Sequence, residues 1–383
     1  MRLRQAEDSE PAYARARKSA PTRHFATLDG MRGVAAIAVV SLHEKPFIGD
    51  PFLPNGSLAV DLFFMLSGFV MTHAYGRRLD EGLSVLGLLA IRFVRLSPLY
   101  FIGALLGTLL AALQIATGRW ELGVAATVFA FVSVWIMMPS PIPNSGDELF
   151  IINNPRWSLF YEDVVNLSMA LLWTFFRSNR RLIAAVVVFA IALAASMRYY
   201  HTYELGWNSE TFLAGFPRVA FPFFAGVLIY RFNDATPQFT RFANLLPLVL
   251  IPIFALKTDH AVRYALVCIM GAFPLLMLLG VRYQPPSARL CRFLGDVSYP
   301  LYVIHVPVLG FVGWALESNG LSQDSMGRVG GLLLLAALIA ASWLLAKTYD
   351  PAVRAWLGSK VLPLAGVRQK SAVAPDTPQR SAN

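Results

Sequence analysis

Along this chain, long apolar runs alternate with short polar ones. Eleven apolar stretches stand out, near 28–46, 57–75, 96–116, 122–138, 157–176, 181–197, 212–230, 243–257, 262–280, 298–316 and 327–346. A membrane-crossing helix needs about 20 largely apolar residues, and most of these runs approach that length. Several are shorter or contain Pro and Gly, which membrane helices tolerate where neighbours satisfy the freed backbone groups. The pattern predicts an all-α integral membrane protein, a bundle of about ten transmembrane helices. The transmembrane domain is expected over 25–350. A disordered basic cytoplasmic tail is expected at 1–24, with no signal peptide, and a second cytoplasmic tail at 351–383.

Composition agrees with this picture. Of 383 residues, 56% are hydrophobic and only 15% charged, against about 25% charged in an ordinary soluble domain. Disorder is excluded, and a soluble globular protein is a poor fit. The net charge is +10, which in another context points to nucleic acid. Here the positions of the charges decide. If all eleven stretches crossed, three basic clusters would face outward, against the rule that Lys and Arg hold loops on the cytoplasmic side. If 122–138 is re-entrant, ten crossings remain and both termini are cytoplasmic. Then 24 Lys and Arg residues fall inside and 7 outside. The basic excess is explained without nucleic acid. Cys268 and Cys291 form neither a disulfide framework nor a zinc motif, so no metal site is expected. No phosphate-binding loop or dinucleotide fingerprint is present, and no bound cofactor is expected.

Ionisable residues inside spans cost several kcal/mol unless paired or wet, which makes them functional candidates. Arg32 and His43 lie eleven positions apart. At 100° per residue they share a helix face within about 20°, separated by about 16 Å along the axis. A guanidinium suits an anionic group such as phosphate, and an imidazole suits general-base work on a hydroxyl. A snorkelling edge arginine and an interfacial histidine are the ordinary alternatives. Asp61 lies early in the second stretch and is expected to pair with a base on a neighbouring helix. Arg92 and Arg95 share a face at an inner membrane edge, as anion-binding or anchoring residues. Glu162 and Asp163 follow Trp157 and Ser158 at the start of a long apolar run, where a carboxylate also answers the helix dipole. Arg218 lies within the seventh stretch and is not expected to face lipid. Tyr302 and His305 lie one helical turn apart in the tenth.

These residues carry a resemblance. Leu28-Asp-Gly-Met-Arg32 with His43, Asp61-Leu-Phe-Phe-Met-Leu-Ser-Gly-Phe69, Arg92-x-x-Arg95 leading to Pro98-Leu-Tyr100, Trp157-Ser-Leu with Glu162, and Leu294-Gly-Asp-Val-Ser-Tyr-Pro-Leu-Tyr302 with His305 occur in this order. Together they resemble the membrane acyltransferase family 3, over roughly 25–350. The resemblance implies a bundle of about ten helices in a bacterial inner membrane and an acyl-CoA donor, by prior acetyl-CoA, on the cytoplasmic side. It implies His43 as the catalytic histidine, Glu162 as its acidic partner, and Arg32, Arg92 and Arg95 as the groups that hold the CoA phosphates. Trp157, Ser158, Arg218, Tyr302 and His305 are carried as binding residues. Two departures stand out. Gly33 follows the motif arginine where the family often has Ala, and Asp163-Val164 follow Glu162 where the family has Gln and Phe. Many members carry a further extracytoplasmic hydrolase-like domain; none is expected here.

The expected reaction is transfer of an acyl group to a hydroxyl of a carbohydrate, either a cell-surface polysaccharide or a lipid-linked glycan. His43 deprotonates the hydroxyl, which attacks the thioester; a transient acyl-histidine is the variant. The competing reading is a transporter or flippase of a lipid-linked sugar. The partners expected are acyl-CoA, the glycan and membrane lipids, with the oligomeric state open.

Overall fold

The computed structural model describes residues 24–144, 146–233 and 236–367. Residues 1–23 of the expected first tail and 368–383 of the second lie outside these residues. About 75% of the described residues are helical. Among the described residues the one sheet is a two-residue parallel pair, Gln238–Phe239 with Tyr283–Gln284.

Every predicted apolar stretch falls on helix. The principal helices are α1 Ala26–His43, α2 Leu58–Asp80, α3 Val85–Ala116, α4 Val124–Trp135, α5 Arg156–Leu171 and α6 Asn179–Tyr199. They continue as α7 Phe212–Phe232, α8 Ala261–Arg282, α9 Arg289–Ser318, α10 Gly327–Lys347 and α11 Tyr349–Leu364. The 243–257 stretch is broken into two short 3-10 turns and the short helix Leu250–Ala255. Among the described residues, 7 helices are long and apolar enough to cross a membrane. The 351–383 segment, assigned to a tail, begins as helix: α11 packs along α3.

Helix α1 lies at the centre. Met31, Ala35, Ala36, Ala38 and Val40 are fully buried, because small and β-branched residues on all sides let neighbours close in. Its main partner is α9, and α2 pairs with α7. Glycine makes the second approach close. A Cβ on Gly68 would collide with the Phe223 carbonyl, and one on Gly226 with the Met65 carbonyl. Such small-residue contacts let membrane helices meet backbone to backbone. The outer helices α6 and α10 turn apolar residues such as Val188, Ile191, Val329 and Leu333 outward. In a membrane chain these face lipid, which has no polar groups to offer them.

Helix α4 has 12 residues, about 18 Å of rise, too short for a hydrocarbon core of about 30 Å. Its last turn nevertheless rests on the protein through buried Ser133 and Val134, and side chains cap it. Arg156 Nη1 donates to the carbonyls of Ser133 (2.9 Å) and Met138 (3.1 Å), and the Tyr100 hydroxyl donates to that of Val134. A cation at a helix C-terminus also answers the dipole. Arg156, one of the 7 Lys and Arg residues that the charge map puts outside, is therefore a buried cap, 1% exposed. The irregular chain from Ile136 to Pro155 bends through Met137 and Asn153, both at positive φ (57° and 60°). Asn153 then repairs α9. Pro307 has no N–H for the Val303 carbonyl, and Asn153 Nδ2 donates to that oxygen at 3.0 Å.

Candidate active site

The site is strung along α1 and α9, between an Arg32 end and a His43 end. At the Arg32 end, Arg32 Nε donates to Ser298 Oγ (2.8 Å) and Nη2 to the Gly295 carbonyl (2.8 Å). Asp29, one turn earlier, pairs with Arg32 at 3.3 Å and with His24 at 2.7 Å. The departure at Gly33 has a physical reason here. A Cβ there would run into Leu294 of α9, whose backbone must pass close for Arg32 to reach Gly295 and Ser298.

Arg92 and Glu162 are brought together from α3 and α5. Arg92 Nη2 lies 3.1 Å from Glu162 Oε1 and 3.3 Å from Asp163 Oδ1, and the Ser67 hydroxyl donates to the same Glu162 oxygen at 2.7 Å. Glu162 is thus bound to Arg92 and Ser67; neither ring nitrogen of His43 is hydrogen-bonded to it. Arg95 is half-buried, lies within electrostatic reach of Arg32, and makes no ion pair among the described residues. That leaves it the cation of this rim without a carboxylate.

At the other end the two histidines meet. The rings of His43 and His305 stand edge to face, centroids 4.9 Å apart. His43 Nδ1 lies 2.9 Å from the Val39 carbonyl. His305 Nδ1 lies 3.1 Å from the Leu301 carbonyl and 2.8 Å from that of Tyr302. A carbonyl only accepts, so each Nδ1 carries the hydrogen and each Nε2 keeps its lone pair. His43 is half-buried and opens to a cavity of about 400 Å³. His305 is fully buried, and its Nε2 has no hydrogen-bond partner.

Beneath the histidines, Tyr302 OH and Ser158 Oγ lie 2.5 Å apart, and both hydroxyls reach the Pro155 carbonyl, at 3.0 and 3.1 Å. These bonds tie α9 to the start of α5 and fix the turn that carries His305. Arg218 is committed elsewhere. Its guanidinium pairs with Asp61 at 3.1–3.2 Å, donates to the Leu205 (3.0 Å) and Ser57 (3.3 Å) carbonyls, and lies 5.0 Å over the Trp157 ring. The expected partner of Asp61 is therefore Arg218. Both serve as a clamp among α2, α5 and α7.

Sequence reading carried Ser298 within a motif without a role, and gave none to Asn153, Arg156 and Glu44. Serine and asparagine are common enough to carry no signal, and the partners that matter, Arg32 for Ser298 and Val303 for Asn153, lie 266 and 150 positions away. Glu44 follows His43 directly and is fully buried, with no hydrogen bond to either carboxylate oxygen. Among the described residues no cluster of three metal-ligating side chains occurs.

The chemistry fits what comparison shows. A family model described as an acyltransferase domain matches residues 25–347. The chain is 27% identical over 396 aligned positions to acyltransferase MdmB of Streptomyces mycarofaciens, covering 91% of this chain and 95% of that protein. It is 23% identical over 332 positions to the peptidoglycan O-acetyltransferase OatA of Listeria monocytogenes, covering 77% of this chain and about half, 51%, of that longer protein. It is also 37% identical over 188 positions to protein 2 in the picA locus of Rhizobium radiobacter, covering 45% of this chain and 94% of that one. No solved structure matches. With basic and imidazole groups at opposite ends of one helix and a family match over nearly all of the helical bundle, the chain belongs to the acyltransferase 3 family of membrane enzymes and is an acyltransferase.

Proposed function

We propose that this protein is a multi-pass O-acyltransferase of a bacterial inner membrane, moving an acetyl group from acetyl-CoA to a hydroxyl of a cell-surface or lipid-linked carbohydrate. Peptidoglycan is one such acceptor, by similarity to OatA. The observation that carries this reading is His43. Its Nδ1 is committed to the Val39 carbonyl, its ring opens to a cavity, and Nε2 is left as a base.

The donor enters at the Arg32 end. Arg95 and the free face of Arg32 meet its phosphates, while Glu162 and Ser67 hold Arg92 in place. The pantetheine arm runs along α1 towards His43. There Nε2 takes the proton of an acceptor hydroxyl, and the oxygen attacks the thioester carbonyl. The tetrahedral intermediate collapses, the C–S bond breaks, and the proton passes from His43 to the departing CoA thiolate. Neutral imidazole is required at the start. Ten passes with both termini cytoplasmic suit this path, since they put the Arg32 end on the side where acyl-CoA is made.

The test is turnover of radiolabelled acetyl-CoA by purified protein in detergent, with glycan fractions as acceptors. Label appearing on glycan supports the proposal. Movement of a lipid-linked sugar across liposomes with no acyl transfer would overturn it in favour of transport.

A further inference from the structure

The cavity that His43 lines has two kinds of wall. Phe47, Val306 and Leu309, each within about one helical turn of His43 or His305 in the chain, are apolar, and the groups further along α9 are polar and aromatic. At the mouth, Arg119 Nη1 pairs with Glu317 Oε2 at 3.2 Å, and Gln323 Nε2 donates to Glu317 Oε1 at 2.6 Å. Trp314 is half-buried, its indole N–H held by Thr117 Oγ1 at 3.4 Å, and Gln114 completes the rim. The groups come from the end of α3 and the turn after it, from α9 and from the turn before α10, and converge on one opening. Gly313 shapes it: a Cβ there would lie 3.0 Å from Gln323 Nε2.

We infer that this mouth is the acceptor subsite and that it takes one pyranose unit, which rests on the acyl-transfer reading above. The chemistry is that of sugar recognition. A fixed indole offers an apolar face to the C–H side of a ring. Planar amide, guanidinium and carboxylate groups offer paired donors and acceptors to ring hydroxyls. A volume of about 400 Å³ lies at the small end of ligand pockets, enough for one ring and not for a polymer segment. The apolar wall beside His43 suits the small acyl group as it transfers. The pocket does not suit the CoA nucleotide, because its one guanidinium is already neutralised by Glu317.

The test uses the full-length protein in detergent, with acetyl-CoA as donor and the glycan fraction of the producing cells as acceptor. CoA release is followed as the fraction is titrated. For Trp314→Ala and Gln323→Ala, half-saturation by glycan should rise about tenfold, as expected for one lost stacking or hydrogen-bonding contact. The maximal rate should recover to within about threefold of wild type at high glycan, and half-saturation by acetyl-CoA should hold. This split marks lost acceptor binding rather than damaged chemistry. Gly313→Ala, which favours the helix and only narrows the opening, should shift the same curve and guards against misfolding of the other variants. Unchanged glycan half-saturation in all three would overturn the subsite alone. A glycan fraction that never stimulates the wild type would overturn the carbohydrate reading, and the subsite with it.

Discussion

Asp61 and Arg218 are each buried to within 1% of complete, and each is costly without the other. Asp61→Asn leaves a buried guanidinium with no carboxylate, facing an amide NH2 at one of its two contacts and otherwise only neutral carbonyl acceptors and the Trp157 face. Breaking such a pair destabilises by about 3–5 kcal/mol, whereas replacing both members by apolar residues is often near neutral. Thermal unfolding in detergent should show a large loss for Asp61→Asn and substantial recovery in Asp61→Leu/Arg218→Met. Equal loss in both would show that the two charges act separately. The sequence announced that these residues need partners, because charge in a span demands one, but their 157-position separation hides the pairing. Arg32 and His43 were legible together because they share one helix and its period. His305 was legible as a candidate, but its position against His43 depends on how α9 lies on α1, which no local pattern encodes. Glu162 is the instructive case: its position in the motif was plain, and its partner is Arg92.

Helices α1 and α9 lie close where Gly33 meets Leu294, helped by Gly30 against Cys291 and Gly295 against Asp29. Gly33→Ala adds a methyl group where Leu294 already sits. Overpacking of this kind costs about 1–3 kcal/mol, against a gain of roughly 1 kcal/mol in helix propensity. The expected outcome is a lower melting temperature and loss of the Arg32–Ser298 contact. An unchanged melting temperature and full activity would show that α9 can shift freely. The apolar stretches located the helices well, since twenty-residue runs leave few options. The polar pieces between them were less legible. The 351–383 segment opens as helix α11, and the 243–257 stretch breaks at Pro247, because these depend on packing against α3 and α1. Helix α4 is a mixed case. Its shortness was visible, but the cap that holds its end, Arg156, read as an ordinary loop charge.

The whole molecule has a polarity that its charges describe. Arg77, Arg78, Arg180, Arg181, Arg231, Arg282 and Lys347 lie at the ends of helices that share the Arg32 end, while Arg119, Lys257 and Arg328 lie near the His43 end. Single cysteines test this arrangement. A membrane-impermeant maleimide should label a cysteine at 328 in intact cells and one at 180 only after permeabilisation; the reverse would invert the bundle and put the donor rim on the wrong side. The account rests most heavily on His43 as the base. The direct measurement is acetyl transfer from radiolabelled acetyl-CoA to glycan by wild type and His43→Gln at matched membrane levels and melting temperatures, across pH. The wild-type rate should fall at acid pH as the imidazole takes a proton, and the variant should lose about 10²- to 10⁴-fold, the usual worth of a general base. Full transfer by His43→Gln would contradict the account.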